Sequence, residues 1–262
     1  MKKLVIVGCG RLAGIVADAV VKGLLPDYEL VGVYSRTASK AECIVHKMKQ
    51  NEKSCVSCHT LEELLELKPD YLVEAASPAA MKELALPTLE NGTSIVTLSI
   101  GALAETSFYE KVKETARANG TRVYLVSGAT GGFDVLRTAS LMGNASAHFF
   151  NEKGPDALKG TSVYNENLQI EKRVVFSGNA TEAIKIFPTK VNVAVAASLA
   201  SIGPESMQVS MQSTPGFIGD IQKVEIENEQ VHAVVEVYSA TSEIAGWSVV
   251  NTLINITSPI VF

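Results

Sequence analysis

The chain has 262 residues, 47% of them hydrophobic and 19% charged, with a net charge of −5 at pH 7. That length suffices for one large or two modest domains around a real hydrophobic core. The acidic balance supplies no basic footprint for nucleic acid, no apolar run approaches the ~18 residues of a membrane helix, and Met1-Lys2-Lys3 runs straight into an apolar segment, so a cytoplasmic protein is expected.

The first segment carries the strongest signal. Leu4-Val-Ile-Val7 is a strand that breaks at Gly8, and the run from Val16 to Val21 reads as a helix. Gly8, Gly10 and Ala13 therefore sit on a strand-to-helix turn with G-x-G-x-x-A spacing. The first glycine permits the tight turn, the second lets backbone approach a pyrophosphate, and the small third residue lets helix pack on strand. The helix start then offers N–H groups and a partial positive charge to phosphate. This points to a dinucleotide.

A second strand is expected over Glu29 to Tyr34, with a helix from Ser39 to Gln50 after it. Where NAD-preferring sites place an acidic residue to bind the ribose hydroxyls, this chain has Ser35-Arg36-Thr37. A guanidinium beside small hydroxyls suits a 2′-phosphate, which favours NADP over NAD. Stacking of Arg36 on the adenine is the alternative.

Cys55-Val-Ser-Cys58-His59 has the letters of a haem attachment pattern, and Cys43 with His46 could complete a zinc set by spacing. The segment reads better as a short strand before a helix capped by Thr60 and Glu63, which would turn Cys55 and Cys58 to opposite sides. No metal is expected, and the thiols are assigned to the core.

Further strands are predicted within Pro69 to Pro78, a buried run ending in small residues, at Ser94 to Leu98 and at Arg122 to Val126, each separated by a helix. Such alternation specifies an α/β fold with a doubly wound parallel sheet, whose ligand lies beyond the carboxyl ends of the strands, where Gly8, Arg36, Ser77 and Gly101 fall. After Ser127-Gly-Ala-Thr-Gly-Gly-Phe-Asp134 the character changes. Strands are expected at Arg173 to Ser177, Met207 to Gln212, Gln222 to Glu227 and Val231 to Tyr238, with helices at Thr181 to Ile186 and Val193 to Ile202. This is a second, smaller α+β domain, mostly antiparallel. The expected division is 1–127 for nucleotide binding, with a final helix in 240–262 returning to it, and 128–239 for substrate and dimerisation.

Several separate segments now match one family in order: Gly8-Cys9-Gly10, Glu74-Ala-Ala-Ser-Pro78, Leu98-Ser-Ile-Gly-Ala-Leu103, the 127–134 run, and Phe187-Pro188 leading to Val191-Asn-Val-Ala194. With these the chain resembles the L-aspartate dehydrogenases, which pair a Rossmann domain with a small α/β substrate domain. The resemblance implies hydride transfer between Cα of an amino acid and a nicotinamide, through an imine. It implies that Gly8, Cys9, Gly10, Arg11 and Leu12 hold the pyrophosphate and that Ala76, Ser77 and Pro78 line the nicotinamide ribose. It places Ala129 and Asn192 beside the substrate and makes a homodimer the expected assembly. A helix N-cap is the alternative role for Asn192.

The departures are as informative. The family pattern carries Asp-Pro and then Asn-x-His, whose histidine is the acid/base; here Thr214-Pro215 leads to Asp220-Ile-Gln222. A glutamine amide cannot take and return a proton near neutral pH. Gln222 can still orient a substrate. The family's Asn-Pro-Lys-Thr-Ser run is replaced by Ser242-Glu-Ile-Ala-Gly246. These changes leave the catalytic acid unassigned, with His232 a weak candidate, and point away from L-aspartate toward another small amino, imino or oxo acid. The competing expectation is a catalytically silent nucleotide-binding sensor or scaffold.

Overall fold

A computed structural model describes residues 1–262 as two compact units, one of 1–126 with 245–262 and one of 127–244.

The first unit is built on six parallel strands: β1 (Lys2–Val7), β2 (Tyr28–Tyr34), β3 (Val56–Cys58), β4 (Tyr71–Glu74), β5 (Ser94–Thr97) and β6 (Val123–Leu125). Their order is β3-β2-β1-β4-β5-β6, so the winding reverses between β1 and β4. Helices α1 (Arg11–Val21), α2 (Ala38–Gln50), α3 (Leu61–Glu66), α4 (Pro78–Glu90) and α5 (Thr106–Ala118) connect them. A parallel sheet buried on both faces needs continuously apolar strands, and Leu4, Val5 and Ile6 are fully buried. Register aligns the carboxyl ends: Val7 lies opposite both Tyr34 and Glu74, and Glu74 opposite Thr97.

In the second unit helix α6 (Phe133–Leu141) precedes strands β7 (Ser146–Lys153) and β8 (Arg173–Asn179). Helices α7 (Ala180–Ile186) and α8 (Asn192–Leu199) follow, and then strands β9 (Gln208–Ser213), β10 (Asp220–Glu227) and β11 (His232–Ser239). The sheet order is β11-β10-β7-β9-β8, antiparallel except for the β7–β9 pair. Strand β7 was not expected from the sequence, yet it is the central strand. Its inward residues are Ala147, Phe149, Asn151 and Lys153, so half of its buried face is polar and the alternation of apolar with polar residues fails. Phe149, Val209, Met211 and Val224 form one core with Phe187 of the α7–α8 turn and Ala194 of α8.

The closing helix α9 (Glu243–Thr257) belongs from Ala245 onward to the first unit. Val249, Val250 and Leu253 join the α1 core, Tyr28 donates its hydroxyl to the Leu253 carbonyl at 2.8 Å, and Gly246 is packed so tightly that a Cβ would meet Ile15 at 2.7 Å.

Candidate functional site

In the first unit a cavity of about 530 Å³ opens at the carboxyl ends of the strands. Its floor is Val7 to Gly10, one wall is Tyr34 to Thr37 with Lys40, another is His59 to Glu62, and Ala75, Ala76, Ala80, Glu83, Leu84 and Pro87 complete it.

Backbone dictates the floor. Gly8 has φ of +88°, and a Cβ there would stand 2.7 Å from the Ala75 carbonyl group and from Ala76 Cα. Only glycine fits. At Gly10 a Cβ would meet nothing within 4 Å, so the space beside it is open. Gly10 is also the N-cap of α1, with no side chain capping the helix and no acid in its first turn. The floor thus fits a pyrophosphate: a close approach is open and the positive end of a helix dipole faces it. Cys9 points the other way, into the core, with its thiol 3.7 Å from the Tyr34 carbonyl and its pKa pushed up to about 11 by burial.

Of the residues expected to bind cofactor, Gly8, Cys9, Gly10, Ser35, Arg36 and Ala76 line this cavity, while Arg11, Leu12, Ser77 and Pro78 do not. Arg11 and Leu12 form the first turn of α1. Ser77 caps α4, accepting from the Ala80 N–H at 3.2 Å, and Pro78 is the first residue of that helix, where its missing N–H costs nothing. Lys40, which the sequence reading did not single out, adds a second cation to the Arg36 wall.

The Thr60 cap holds, accepting from the Glu63 N–H at 3.2 Å, but Glu63 reaches back to the His59 N–H at 2.8 Å rather than to Thr60. Cys55 precedes β3 instead of lying in it, and burial pushes its thiol up to about 12.

Beneath the rim lies a buried acid for which no role was expected. Glu74 is fully buried at the end of β4. One carboxylate oxygen accepts from the Ala76 and Ser77 N–H groups at 2.8 and 3.0 Å and from the Ser99 hydroxyl at 2.9 Å. The other accepts from the Thr97 hydroxyl at 2.7 Å and the Ser99 N–H at 3.1 Å. Burial raises its pKa above the usual carboxylate range, and the hydrogen bonds pull against that rise. One acid thereby ties the loop after β4 to the loop after β5. A charge in an otherwise apolar buried strand was the legible signal, since such a group must find partners.

In the second unit the loop holding Ala129 is buried, and a Cβ on Gly128 (φ +64°) would lie 3.1 Å from Val193, so this loop meets the start of α8 where Asn192 stands. Val191, not Asn192, occupies the N-cap, so capping does not explain the asparagine. Gln222 is 5% exposed on the inward face of β10, and its amide donates to Asp220 at 3.0 Å. Lys153 donates to the same carboxylate at 2.6 Å, and Asn151 donates to its other oxygen. His232 lies on the outward face, 2.8 Å from Glu225, and is exposed.

A reversing parallel sheet with a glycine turn and an uncapped helix at the reversal is the architecture of a dinucleotide-binding domain. Residues 8–126 match the family model for the homoserine dehydrogenase NAD-binding domain, and residues 134–256 match that for the aspartate dehydrogenase C-terminal domain. L-Aspartate dehydrogenase of Methanocella arvoryzae is 32% identical, over 99% of this chain and 98% of the relative. The chain belongs to the L-aspartate dehydrogenase family. The Methanosarcina mazei enzyme is 30% identical over the same shares. The crystal structure of aspartate dehydrogenase from Thermotoga maritima superposes with a TM-score of 0.80 at 25% identity, over 100% of this chain and 99% of that one. A hyperthermophilic archaeal homoserine dehydrogenase, solved with NADPH, shares the fold at a TM-score of 0.65 and 14% identity.

Proposed function

We propose that the chain moves hydride between a nicotinamide dinucleotide, with NADP(H) preferred, and a small amino or imino acid. The observation that carries this is the Gly8–Gly10 floor, where one glycine is demanded by backbone and the other leaves open space at an uncapped helix start. When bound, the nicotinamide supplies or accepts the hydride. Gly8, Cys9, Gly10, Arg11 and Leu12 hold the pyrophosphate through backbone and helix dipole. Ser35 and Arg36, with Lys40, take the 2′-phosphate. Ala76, Ser77 and Pro78 support the nicotinamide ribose, held in place by Glu74. Ala129, Asn192 and Gln222 orient the amino acid. Gln222 does so as a hydrogen-bonding group, because its amide has no proton to exchange near neutral pH, and solvent moves the proton instead.

We assign a cytoplasmic homodimer. No helix is long and apolar enough to cross a membrane, and the outward sheet face of the second unit leaves Val174, Val234 and Tyr238 exposed for a second copy. The glutamine at the family's histidine position favours a second reading, a nucleotide-binding sensor without turnover. Titration of the purified protein with NADPH and NADH, followed by L-aspartate and other amino acids, or oxaloacetate with ammonia, separates the two. Binding with turnover of an amino acid supports the enzyme. Binding without any turnover supports the sensor, and failure of both nucleotides to bind overturns each.

A further inference from the structure

Asp220 and its neighbours form a closed electrostatic unit on the inward face of the second sheet. Register places Asp220, Lys153 and Ser213 side by side in one row, and Gln222, Asn151 and Met211 in the next. Three donors converge on the Asp220 carboxylate: the Lys153 ammonium, the Asn151 amide and the Gln222 amide. Asn151 also donates to the Ile221 carbonyl at 2.8 Å, which fixes its amide in place. An ammonium with two amide N–H groups is the donor set that a ligand carboxylate requires. Here the protein's own carboxylate fills it.

The arrangement leaves other valences open. An ionised carboxylate only accepts, so Asp220 must face the NH₂ end of Gln222, and this turns the amide oxygen away. That oxygen is buried and has no partner, as is the Ser213 hydroxyl in the neighbouring row. An unsatisfied buried acceptor is costly and calls for a donor. Lys153 is neutralised by Asp220, and Glu152 points to the opposite face toward Thr214 and Lys172. A second cation, Lys190, donates to the Ala157 carbonyl, and its pKa is lowered by burial and by the charge of Lys153.

We propose that Asp220 is a built-in carboxylate occupying a donor cradle, and that the chain therefore selects amino or imino acids whose side chain ends in a neutral or N–H-bearing group instead of a second carboxylate. This rests on reading Gln222 and Asn192 as facing substrate.

The test compares L-asparagine with L-aspartate on the full-length protein saturated with NADP⁺. The wild type is expected to favour L-asparagine in kcat/KM by at least tenfold, and Asp220→Asn to move the ratio toward L-aspartate by at least tenfold. A wild type that favours L-aspartate, or a ratio unmoved in the variant, overturns the proposal. A readout without turnover keeps it separate from the enzyme reading. Asp220→Ala should empty the cradle, so acetate should raise its thermal midpoint while leaving the wild type unmoved. If nucleotide binds but neither amino acid reacts, acetate rescue of Asp220→Ala upholds the cradle while the enzyme reading falls. Absence of that rescue in a folded variant overturns the cradle itself, and for a variant that does not fold the Asp220→Asn thermal midpoint with L-aspartate against L-asparagine decides.

Discussion

The two candidate sites are made of different material. At the nucleotide end of the first unit the shape is set by backbone: a left-handed glycine against the Ala75 carbonyl group, an open glycine beside it, and a helix start with no side chain of its own. In the second unit the site is set by side chains, with Lys153, Asn151, Asp220 and Gln222 bound to one another across two strands. A backbone site tolerates almost no change at a glycine packed against backbone, as Gly8 is. A side-chain site can be rewritten by two substitutions while the fold is kept.

The largest effect should come from attacking the backbone site. Gly8→Ala forces a Cβ into the Ala75 carbonyl group at a left-handed φ, and should cost about 3 kcal/mol in urea unfolding and weaken NADPH binding at least a hundredfold. Gly10→Ala sharpens the contrast: with open space around it, its stability should fall by less than about 1 kcal/mol while nucleotide affinity drops about tenfold. The side-chain site should behave oppositely. Lys153→Met leaves the Asp220 charge without its cation and should cost about 3 kcal/mol, most of it recovered in Lys153→Met/Asp220→Asn, as a double-mutant cycle would read.

Glu74 joins the two styles, a side chain that holds backbone. Glu74→Gln replaces one of the two oxygens that accept from the loops after β4 and β5 and should cost about 2 kcal/mol at pH 4. Its folded pKa is raised, so its contribution to stability is complete below the ordinary carboxylate range and is lost as pH rises through the folded value. The stability difference between wild type and Glu74→Gln should therefore shrink from pH 4 to pH 7 in urea titrations. A smaller change is expected from Arg36→Ala, which should weaken NADPH about tenfold and leave NADH unchanged by fluorescence titration. Smallest of all, His232→Ala should leave turnover as it was, since the ring lies on the outward face beside Glu225.

The same contrast governs what could be read from the chain. Steric demands leave local marks, and Gly8, Gly10 and the alternation of strands with helices made the first unit legible to within a residue or two at most boundaries. Of the Lys153 cluster only Asp220 and Gln222 left a mark, because Asn151 and Lys153 lie about 70 positions away in sequence and meet them only through strand register. Strand β7 is hidden for a different reason: Asn151 and Lys153 occupy inward positions, which breaks the apolar alternation that marks a strand. Lys40 escaped because it sits in the first turn of α2, beyond the Ser35–Thr37 motif.

Finally, the first unit is sewn from both ends of the chain. Val249, Val250 and Leu253 of α9 are buried against α1, and Tyr28 is bonded to Leu253. These residues leave the ribosome only after the whole second unit has emerged, on the order of ten seconds behind the first glycine turn. Until then the apolar face of α1 that receives α9 stays uncovered. The nascent nucleotide-binding half must wait for its last element, and the second unit has the opportunity to finish folding first.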